Sequence, residues 1–291
     1  MPQHIRLITF ATSPAITLAG VRGHYAAQGC EVEVIVTPSS TEQMAGLGEG
    51  RYDIASTAFD NVLAWSGKDG RPQILAVAQA AGGVVLPILV RPEIKDWGDL
   101  RGRPLAVDAV DTAYALVLRR VLQAHGLELD RDYTFVAEGA TKERYESLAS
   151  RATYAAVMNP PWDRRAEDAG MKRMGDHRAV LPDYPGGVYA VSRPWLQANR
   201  PALVGFLRAL RDATTWAADP ANAAAATQAL VENGSTPQEA ERLLARMPRE
   251  LPVRVEAMRV PLDLRVRFGL TPSLGPDLER YVDRSVAAEL G

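Results

Sequence analysis

The chain has 291 residues, of which 47% are hydrophobic and 23% are charged, and its formal net charge is -2. This length and composition predict a globular protein with two lobes and exclude a disordered chain or a coiled coil. A nearly neutral chain without a basic run gives no electrostatic footprint for nucleic acid or for an anionic membrane surface, so neither is an expected partner.

Strands and helices are predicted to alternate along the first ninety residues. Short apolar or alternating runs predict strands at residues 5–10, 31–37, 53–56, 73–79 and 84–90. Helical patterns lie between them at residues 16–28, around Met44 and Leu47, and at residues 59–66. Ser40 and Gln43 resemble a capping box at the start of the second of these helices. This rhythm predicts a mainly parallel sheet that is covered by helices on both faces.

The same pattern begins again after residue 90. Strands are predicted at residues 105–108, 133–136 and 154–158, and helices at residues 112–125, 142–150 and 162–169. Residues 187–192 predict a strand that returns to the first lobe, and the chain from Pro194 onwards is typical of helices. The predicted fold is therefore α/β with two lobes. Residues 1–90 and 191–291 form lobe one, residues 91–190 form lobe two, and the two crossings form a hinge.

Metal and disulfide chemistry are not expected. Cys30 is the only cysteine, so an intrachain disulfide and a cysteine-based metal cluster are excluded. The four histidines form no ligand pair at helical or hairpin spacing. We therefore expect no metal and no cofactor, and we expect Cys30 to be a small buried residue rather than a nucleophile.

The first residues of the sequence run directly into the first predicted strand. No basic region, long apolar stretch or small-residue cleavage site precedes it, and no segment approaches the ~20 apolar residues of a membrane span. Two locations are therefore open. The protein is periplasmic or on the cell surface if an export signal was removed, and otherwise it is cytoplasmic. We expect a monomer.

Ligands of open α/β sheets lie beyond the carboxyl ends of the strands, where helix N-termini point. The polar and aromatic residues at these strand ends are therefore the candidate ligand contacts. In the first lobe they are Thr12, Ser13, Ser39, Thr57, Phe59, Asp60, Asn61 and Gly82. In the second lobe they are Asp111, Thr112, Tyr114, Thr141, Arg144, Asn159, Trp162 and Tyr184.

Several candidates have an ordinary structural alternative. Ser13, Ser39 and Thr141 are typical helix caps, and Trp162 is also typical of a core aromatic residue. Small residues such as Gly82 let a ligand approach the backbone, but they are equally typical of a tight loop. Nearby, Asp108 and Asp111 disfavour a bare, strongly anionic ligand beside Thr112.

Four segments carry a family resemblance. Residues 50–62 (GRYDIASTAFDNV), 99–108 (DLRGRPLAVD), 158–162 (MNPPW) and 186–191 (GGVYAV) resemble the ABC-transporter substrate-binding proteins related to the taurine/alkanesulfonate and thiamine-pyrimidine binders. The resemblance implies a type II periplasmic-binding fold, closure by hinge bending and delivery of a ligand to a membrane permease. It also implies ligand contacts from the strand-end loops, at Thr12, Ser13, Thr57, Asp60, Asn61, Asp111, Thr112, Asn159 and Trp162.

The ligand and the activity remain open at this point. No arginine that would clamp a sulfonate or phosphate stands at a strand end, and Arg144 is the nearest candidate. An aromatic or heteroaromatic ligand, with or without one carboxylate, suits the aromatic candidates better. We expect a binding protein without chemistry, because no Ser-His-Asp or Cys-His constellation is visible. The alternative is a cytoplasmic decarboxylase, dehydratase or pyrimidine-forming enzyme on the same fold, with Asp60 and Asp111 as catalytic carboxyl groups.

Overall fold

The computed structural model describes residues 2–70, 73–80, 85–248, 251, 255–271 and 278–290. Gly82, an expected ligand contact, lies outside these ranges. The strands within them are β1 (Gln3–Thr9), β2 (Cys30–Val36), β3 (Ile54–Ala58), β4 (Ile74–Gln79), β5 (Pro87–Val90), β6 (Arg103–Val107), β7 (Tyr133–Ala137), β8 (Ala155–Val157), β9 (Lys172–Asp176) and β10 (Gly187–Ser192). The α-helices are α1 (Pro14–Val21), α2 (His24–Ala27), α3 (Ser40–Gly48), α4 (Phe59–Trp65), α5 (Ala113–Ala124), α6 (Thr141–Ala149), α7 (Trp162–Asp168), α8 (Arg193–Ala218), α9 (Ala223–Glu232), α10 (Pro237–Ala245) and α11 (Val255–Arg267).

The strands form two five-stranded sheets. The first has the order β2-β1-β3-β10-β4 and the second has the order β7-β6-β8-β5-β9. In the first sheet β10 is antiparallel to β3 and β4, and in the second β5 is antiparallel to β8 and β9. The predicted α/β architecture of two helix-flanked sheets is therefore confirmed. Each sheet is mixed, because one strand of each runs against the other four.

The two crossings lie a few residues earlier than the expected lobe limits. Strand β10 joins the first sheet, as predicted for a returning strand, whereas β5 was expected in lobe one. Strand β5 pairs in the second sheet, so the chain leaves the first sheet between β4 and β5 rather than near residue 90. Strand β10 begins at Gly187 and already pairs in the first sheet. Strand β9 was not predicted, because its sequence KRMGD is polar and lacks an apolar alternation.

Two local predictions were wrong. The predicted helix over residues 16–28 is divided into α1 and α2, because Gly23 lies between them with a φ of 75°. The cap of α3 is Ser39 rather than Ser40, since the Ser39 hydroxyl accepts the Glu42 N–H at 3.1 Å. Gln43 takes no part in a capping box and instead donates to the carbonyl oxygens of Ile8 and Ser56.

Hydrophobic cores lie against both faces of the first sheet and of the second. One face of the first sheet packs against α1 and α8, and Leu7, Leu18 and Leu203 are fully buried there. The other face packs against α3, α4 and α11 through a separate cluster that includes Val62 and Leu262. The C-terminal helices therefore cover the first sheet, and α11 also touches α5 beside the second. Among the described residues, no helix combines the length and the hydropathy needed to cross a membrane.

Candidate functional site

The carboxyl ends of the two sheets meet where α4 approaches the N-terminus of α5. The Oδ2 atom of Asp60, in the first turn of α4, accepts the N–H of Ala113 at 2.8 Å. The Nη1 atom of Arg265, near the end of α11, lies 3.3 and 3.1 Å from the two carboxylate oxygens of Asp60 and 3.2 Å from the carbonyl oxygen of Asp111. This buried ion pair therefore bridges the two sheets, and Asp60 serves a helix of the opposite lobe.

The environment of Asp60 makes its charge costly. The side chain is 1% exposed, and burial raises the pKa of Asp60 to about 6, while Arg265 and the Ala113 N–H oppose the rise. Desolvation therefore outweighs the attraction of the arginine.

Asp108 and Asn159 follow the adjacent strands β6 and β8, and each is hydrogen-bonded to a residue at the start of α5. The Thr112 hydroxyl donates to Asp108 Oδ2 at 2.9 Å, and the Asn159 Nδ2 atom donates to the Tyr114 hydroxyl at 3.4 Å. The Oδ1 atoms of Asp108 and Asn159 are buried without a hydrogen-bond partner in the described part of the chain. Buried polar atoms are normally paired, so two uncommitted acceptors after neighbouring strands are candidate positions for a ligand or water.

Arg144 is a buried residue that links the start of α6 to strand β8. Its three guanidinium nitrogens donate to Val157 O at 3.2 Å, to Gly139 O at 2.8 Å and to Thr141 Oγ1 at 3.0 Å. Burial lowers the pKa of Arg144, and the nearby Asp108 carboxylate opposes this effect. Arg144 is therefore a positioning residue that ties α6 to β8. Thr141 does not cap α6 as expected, because it is already helical and Ala140 occupies the cap position.

Most of the candidate residues of the first sheet stabilise local structure through hydrogen bonds or packing. The Ser13 hydroxyl caps α1 by accepting the Ile16 N–H at 3.3 Å. Thr57 is 3% exposed, and its hydroxyl accepts a hydrogen bond from Asn61 Nδ2 at 2.8 Å. The Oδ1 atom of Asn61 is buried and has no partner among the described residues. Phe59 does not face a ligand space, since it is 1% exposed within the core of the first sheet.

Two aromatic candidates occupy different environments. Trp162 begins α7 and is partly buried, with its ring 5.1 Å from the Tyr145 ring and 4.7 Å from the Arg165 guanidinium. The main-chain N–H of Trp162 donates to the Asn159 carbonyl oxygen at 2.9 Å, so the two residues adjoin at the start of α7. Tyr184 is 4% exposed in the second core, and burial, together with the neighbouring Asp60, Tyr114 and Asp108, raises its pKa well above the usual value.

The structure joins the candidates in small groups: Thr57 with Asn61, Asp60 with the start of α5, and Asn159 with Tyr114 and the main chain of Trp162. Thr12 and Asp111 are exposed, and Asp111 contributes its carbonyl oxygen rather than its carboxylate. Sequence reasoning missed Arg265 and also Glu143, whose Oε2 atom is buried without a partner among the described residues. The signal for Arg265 was present, because Met258, Leu262 and Arg265 follow helical spacing and all three are buried.

A cavity of about 200 Å³ lies between α7 and α10, and one of its lining residues is Pro160, which follows Asn159 in the chain. Arg165 of α7 and Glu239 of α10 form a two-pronged ion pair beside it, at 2.8 and 3.0 Å. Glu239 is 6% exposed, and Arg165 lowers the pKa of Glu239 to about 2. The cavity is lined by Pro160, Pro161, Asp163, Arg164, Glu167, Arg173, Glu239, Arg242, Leu243 and Arg246. No cluster of potential metal ligands occurs in the described residues.

Solved structures with the same architecture include periplasmic binding proteins. The alkanesulfonate-binding protein SsuA from Xanthomonas axonopodis pv. citri, bound to MOPS, is 20% identical, with a TM-score of 0.79 over 98% of this chain and 99% of that one. The periplasmic nitrate-binding protein NrtA from Synechocystis is 15% identical, with a TM-score of 0.82 over 99% and 88%. A Candida albicans protein described as having the generic periplasmic binding protein fold is 15% identical, with a TM-score of 0.77 over 98% and 97%.

These likenesses confirm the fold, and the predicted resemblance to ABC-transporter substrate-binding proteins is confirmed with it. A search of the curated proteins finds no match. The NMT1-like family matches residues 5–231, which is most of the chain. The chain therefore belongs to the NMT1-like family.

Proposed function

We propose that this protein captures one small organic ligand between its two lobes and hands it to an ABC importer. The carrying observation is a set of buried, unpartnered oxygens at strand ends, on Asp108, Asn159 and Asn61. A buried polar atom without a partner costs free energy, and a ligand that supplies hydrogen bonds removes this cost. The Asp60–Arg265 bridge lies beside these atoms, so ligand capture and contact between the lobes are coupled by position.

The proposed ligand carries an aromatic or heteroaromatic ring. Trp162 and Tyr114 are both partly buried, and both contact Asn159, one through its main chain and one through its hydroxyl. A flat ring against these two side chains would place its polar edge at the unpartnered amide oxygen of Asn159. Aromatic stacking favours such a ring, because offset and edge-to-face pairs add to the area that is buried.

Lobe limits and location belong to the same proposal. We place the limits in the connections β4–β5 and β9–β10, so that each lobe holds one complete sheet. Two chain crossings between rigid sheets are typical of hinge closure around a ligand. An importer-linked role places the protein in the periplasm or at the cell surface, as a monomer.

Thermal unfolding with a metabolite panel tests the proposal. A ligand present at 100 times its Kd stabilises the protein by about 2.7 kcal/mol, which is a rise of a few degrees in Tm for a chain of this size. The Asn159→Leu variant should lose the response, while Glu146→Gln, an exposed carboxylate on α6, should keep it. A broad panel without any shift, together with native mass spectra free of bound ligand, contradicts the proposal.

The catalytic alternative has less support in the geometry. Both oxygens of Asp60 are engaged by Arg265 and the Ala113 N–H, so the group has structural partners that account for its burial without a catalytic role. The Asp111 side chain is exposed. A bound ligand should therefore be recovered chemically unchanged after prolonged incubation, and mass spectrometry of the released ligand checks this.

A further inference from the structure

The cavity between α7 and α10 is bordered by elements that pack against different sheets. Helix α7 packs against β5 and β9 of the second sheet, whereas α10 packs against α9, which contacts α1 beside the first sheet. The cavity volume of about 200 Å³ is far above the about 15 Å³ that one water requires. The cavity can therefore hold a group larger than a water molecule between the two lobes.

Four arginines line this cavity. They are Arg164 of α7, Arg173 of β9, Arg242 of α10 and Arg246, which directly follows α10. An arginine keeps its positive charge throughout the physiological pH range. Three elements thus direct four fixed cations towards one space.

The three carboxylates of the lining already have arginine partners. Glu239 accepts two hydrogen bonds from Arg165, at 2.8 and 3.0 Å. Arg173 lies 3.4 Å from an Asp163 oxygen and 2.8 Å from a Glu167 oxygen. These acids are therefore occupied by cations of α7 and β9, and none of them pairs with an arginine of α10 in the described part of the chain.

Arg242 and Arg246 are the lining cations that have no ion pair or hydrogen bond with any described residue. They are four positions apart, so they lie one above the other on the face of α10 that also carries Glu239. A position near a helix C-terminus favours a cation by itself, but it does not account for the arginines that α7 and β9 add across the cavity. The two unpaired guanidinium groups are therefore available to a ligand.

The charges around the cavity favour an anion. With Arg165 included, five arginines surround three carboxylates, and protonation of any carboxylate would only increase this excess. Asp168, a second partner of Arg164, lies outside the lining, and its side chain is 64% exposed. A guanidinium group can donate two parallel hydrogen bonds to an oxyanion, so two such groups match a dianion in both charge and geometry.

We propose that the cavity between α7 and α10 is a second binding site, which takes a phosphate-type dianion at Arg242 and Arg246. Inorganic phosphate and the phosphoryl group of a small organic molecule offer the same oxygens and the same charge. The site is separate from the proposed ligand contacts, because Asp108, Asn159 and Trp162 do not line this cavity. The captured ligand and this dianion are thus different molecules.

Isothermal titration calorimetry at pH 7.5 and constant ionic strength tests the proposal, with inorganic phosphate and phenyl phosphate as probes. Both carry close to two negative charges at this pH. At least one should bind with a submillimolar Kd, and acetate, a monoanion, should bind about tenfold or more weakly. Binding of both probes supports a site for the oxyanion itself, and binding of phenyl phosphate alone supports a site for a phosphorylated organic molecule.

Two variants locate the site. Arg242→Gln and Arg246→Gln should each raise the Kd for the bound probe by about tenfold or more, as expected for the loss of charged hydrogen bonds. Both side chains are exposed, so the variants should fold normally. The control is Arg120→Gln on α5, which removes the same charge on the opposite face of the second sheet from α7 and should leave the Kd unchanged.

Three results would overturn the proposal. They are no binding of either probe at millimolar concentration, acetate binding as tight as that of phosphate, and equal weakening in all three variants, which would indicate a response to net charge alone. Since none of these measurements uses the captured ligand, such a failure would leave the proposed capture function to its own test with the metabolite panel.

Discussion

The Arg265 Nη1 atom lies 3.1 Å from Asp60 Oδ2, although the two residues are 205 positions apart in the chain. Both residues are almost fully buried, with exposed fractions of 5% for Arg265 and 1% for Asp60. The same two groups also contact the main chain at Asp111 and Ala113, at the start of α5. One ion pair thus joins α4, α5 and α11, which is why its loss should affect both stability and the contact between the lobes.

Replacing Arg265 with Met should destabilise the protein by about 3–5 kcal/mol, the usual cost of leaving one member of a buried ion pair alone. The Asp60 carboxylate would keep the Ala113 N–H but lose its only cation among the described residues. Urea unfolding at pH 8, followed by far-UV circular dichroism, measures the change in the free energy of unfolding.

Arg284→Met is the matched control for this substitution. Arg284 pairs with Glu279 at 2.6 Å, but its side chain is 49% exposed and that of Glu279 is 60% exposed. Exposed pairs of this kind contribute about 0–1 kcal/mol. Equal losses in the two variants would mean that the Asp60–Arg265 pair has no special role.

The pH dependence of stability should carry the signature of Asp60. Its pKa is about 6 in the folded protein and 3.8 as the ordinary value, so the folded state binds the additional proton between these limits. This contribution to stability is complete below pH 3.8 and is lost as the pH rises through 6. The free energy of unfolding of the wild type minus that of Asp60→Asn should therefore decrease from pH 4 to pH 7. A difference that rises over this range contradicts the assignment.

Glu239 should show the opposite dependence. Its pKa is lowered from 4.5 to about 2 by Arg165, so the folded state binds fewer protons than the unfolded chain between these limits. The stabilisation is present above pH 4.5 and is lost as the pH falls towards 2. The advantage of wild type over Glu239→Gln in urea unfolding should therefore narrow from pH 5 to pH 3. Glu241→Gln, at an exposed carboxylate on the same helix, should show no such narrowing.

The order of strands and helices could be predicted from the sequence, because apolar runs such as EVEVIVT and the periodic residues of α5 report burial directly. The pairing direction of β5 and β10 could not, since a buried strand has the same pattern in parallel and antiparallel pairs. Likewise β9 is a polar edge strand that its partner β5 defines. Such features depend on tertiary contacts and leave no local signal.

The candidate site, like the fold, could be predicted from the sequence only in part. Strand-end position selected Asp60, which does contact the start of α5 beside the opposite sheet. The ligand contacts expected of Asp60, Thr112, Arg144 and Asn159 stay predictions. Strand-end position could not indicate that Asp60 binds an arginine from α11, because that partner is more than 200 positions away. Phe59 was selected for its position next to Asp60, but successive residues of a helix start point in different directions, and its ring enters the core.

Trp162 should report ligand capture through its fluorescence. Its indole is partly buried between Tyr145 and Arg165 and adjoins Asn159, so a ligand at the unpartnered Asn159 oxygen would change the polarity around the ring. Trp162→Phe should abolish the ligand-dependent emission change and keep most of the affinity. The control is Trp97→Phe. The Trp97 ring stacks on His125, with 4.4 Å between the ring centroids, so this variant should retain the full change. A signal that disappears with Trp97 instead would place the ligand elsewhere in the second lobe.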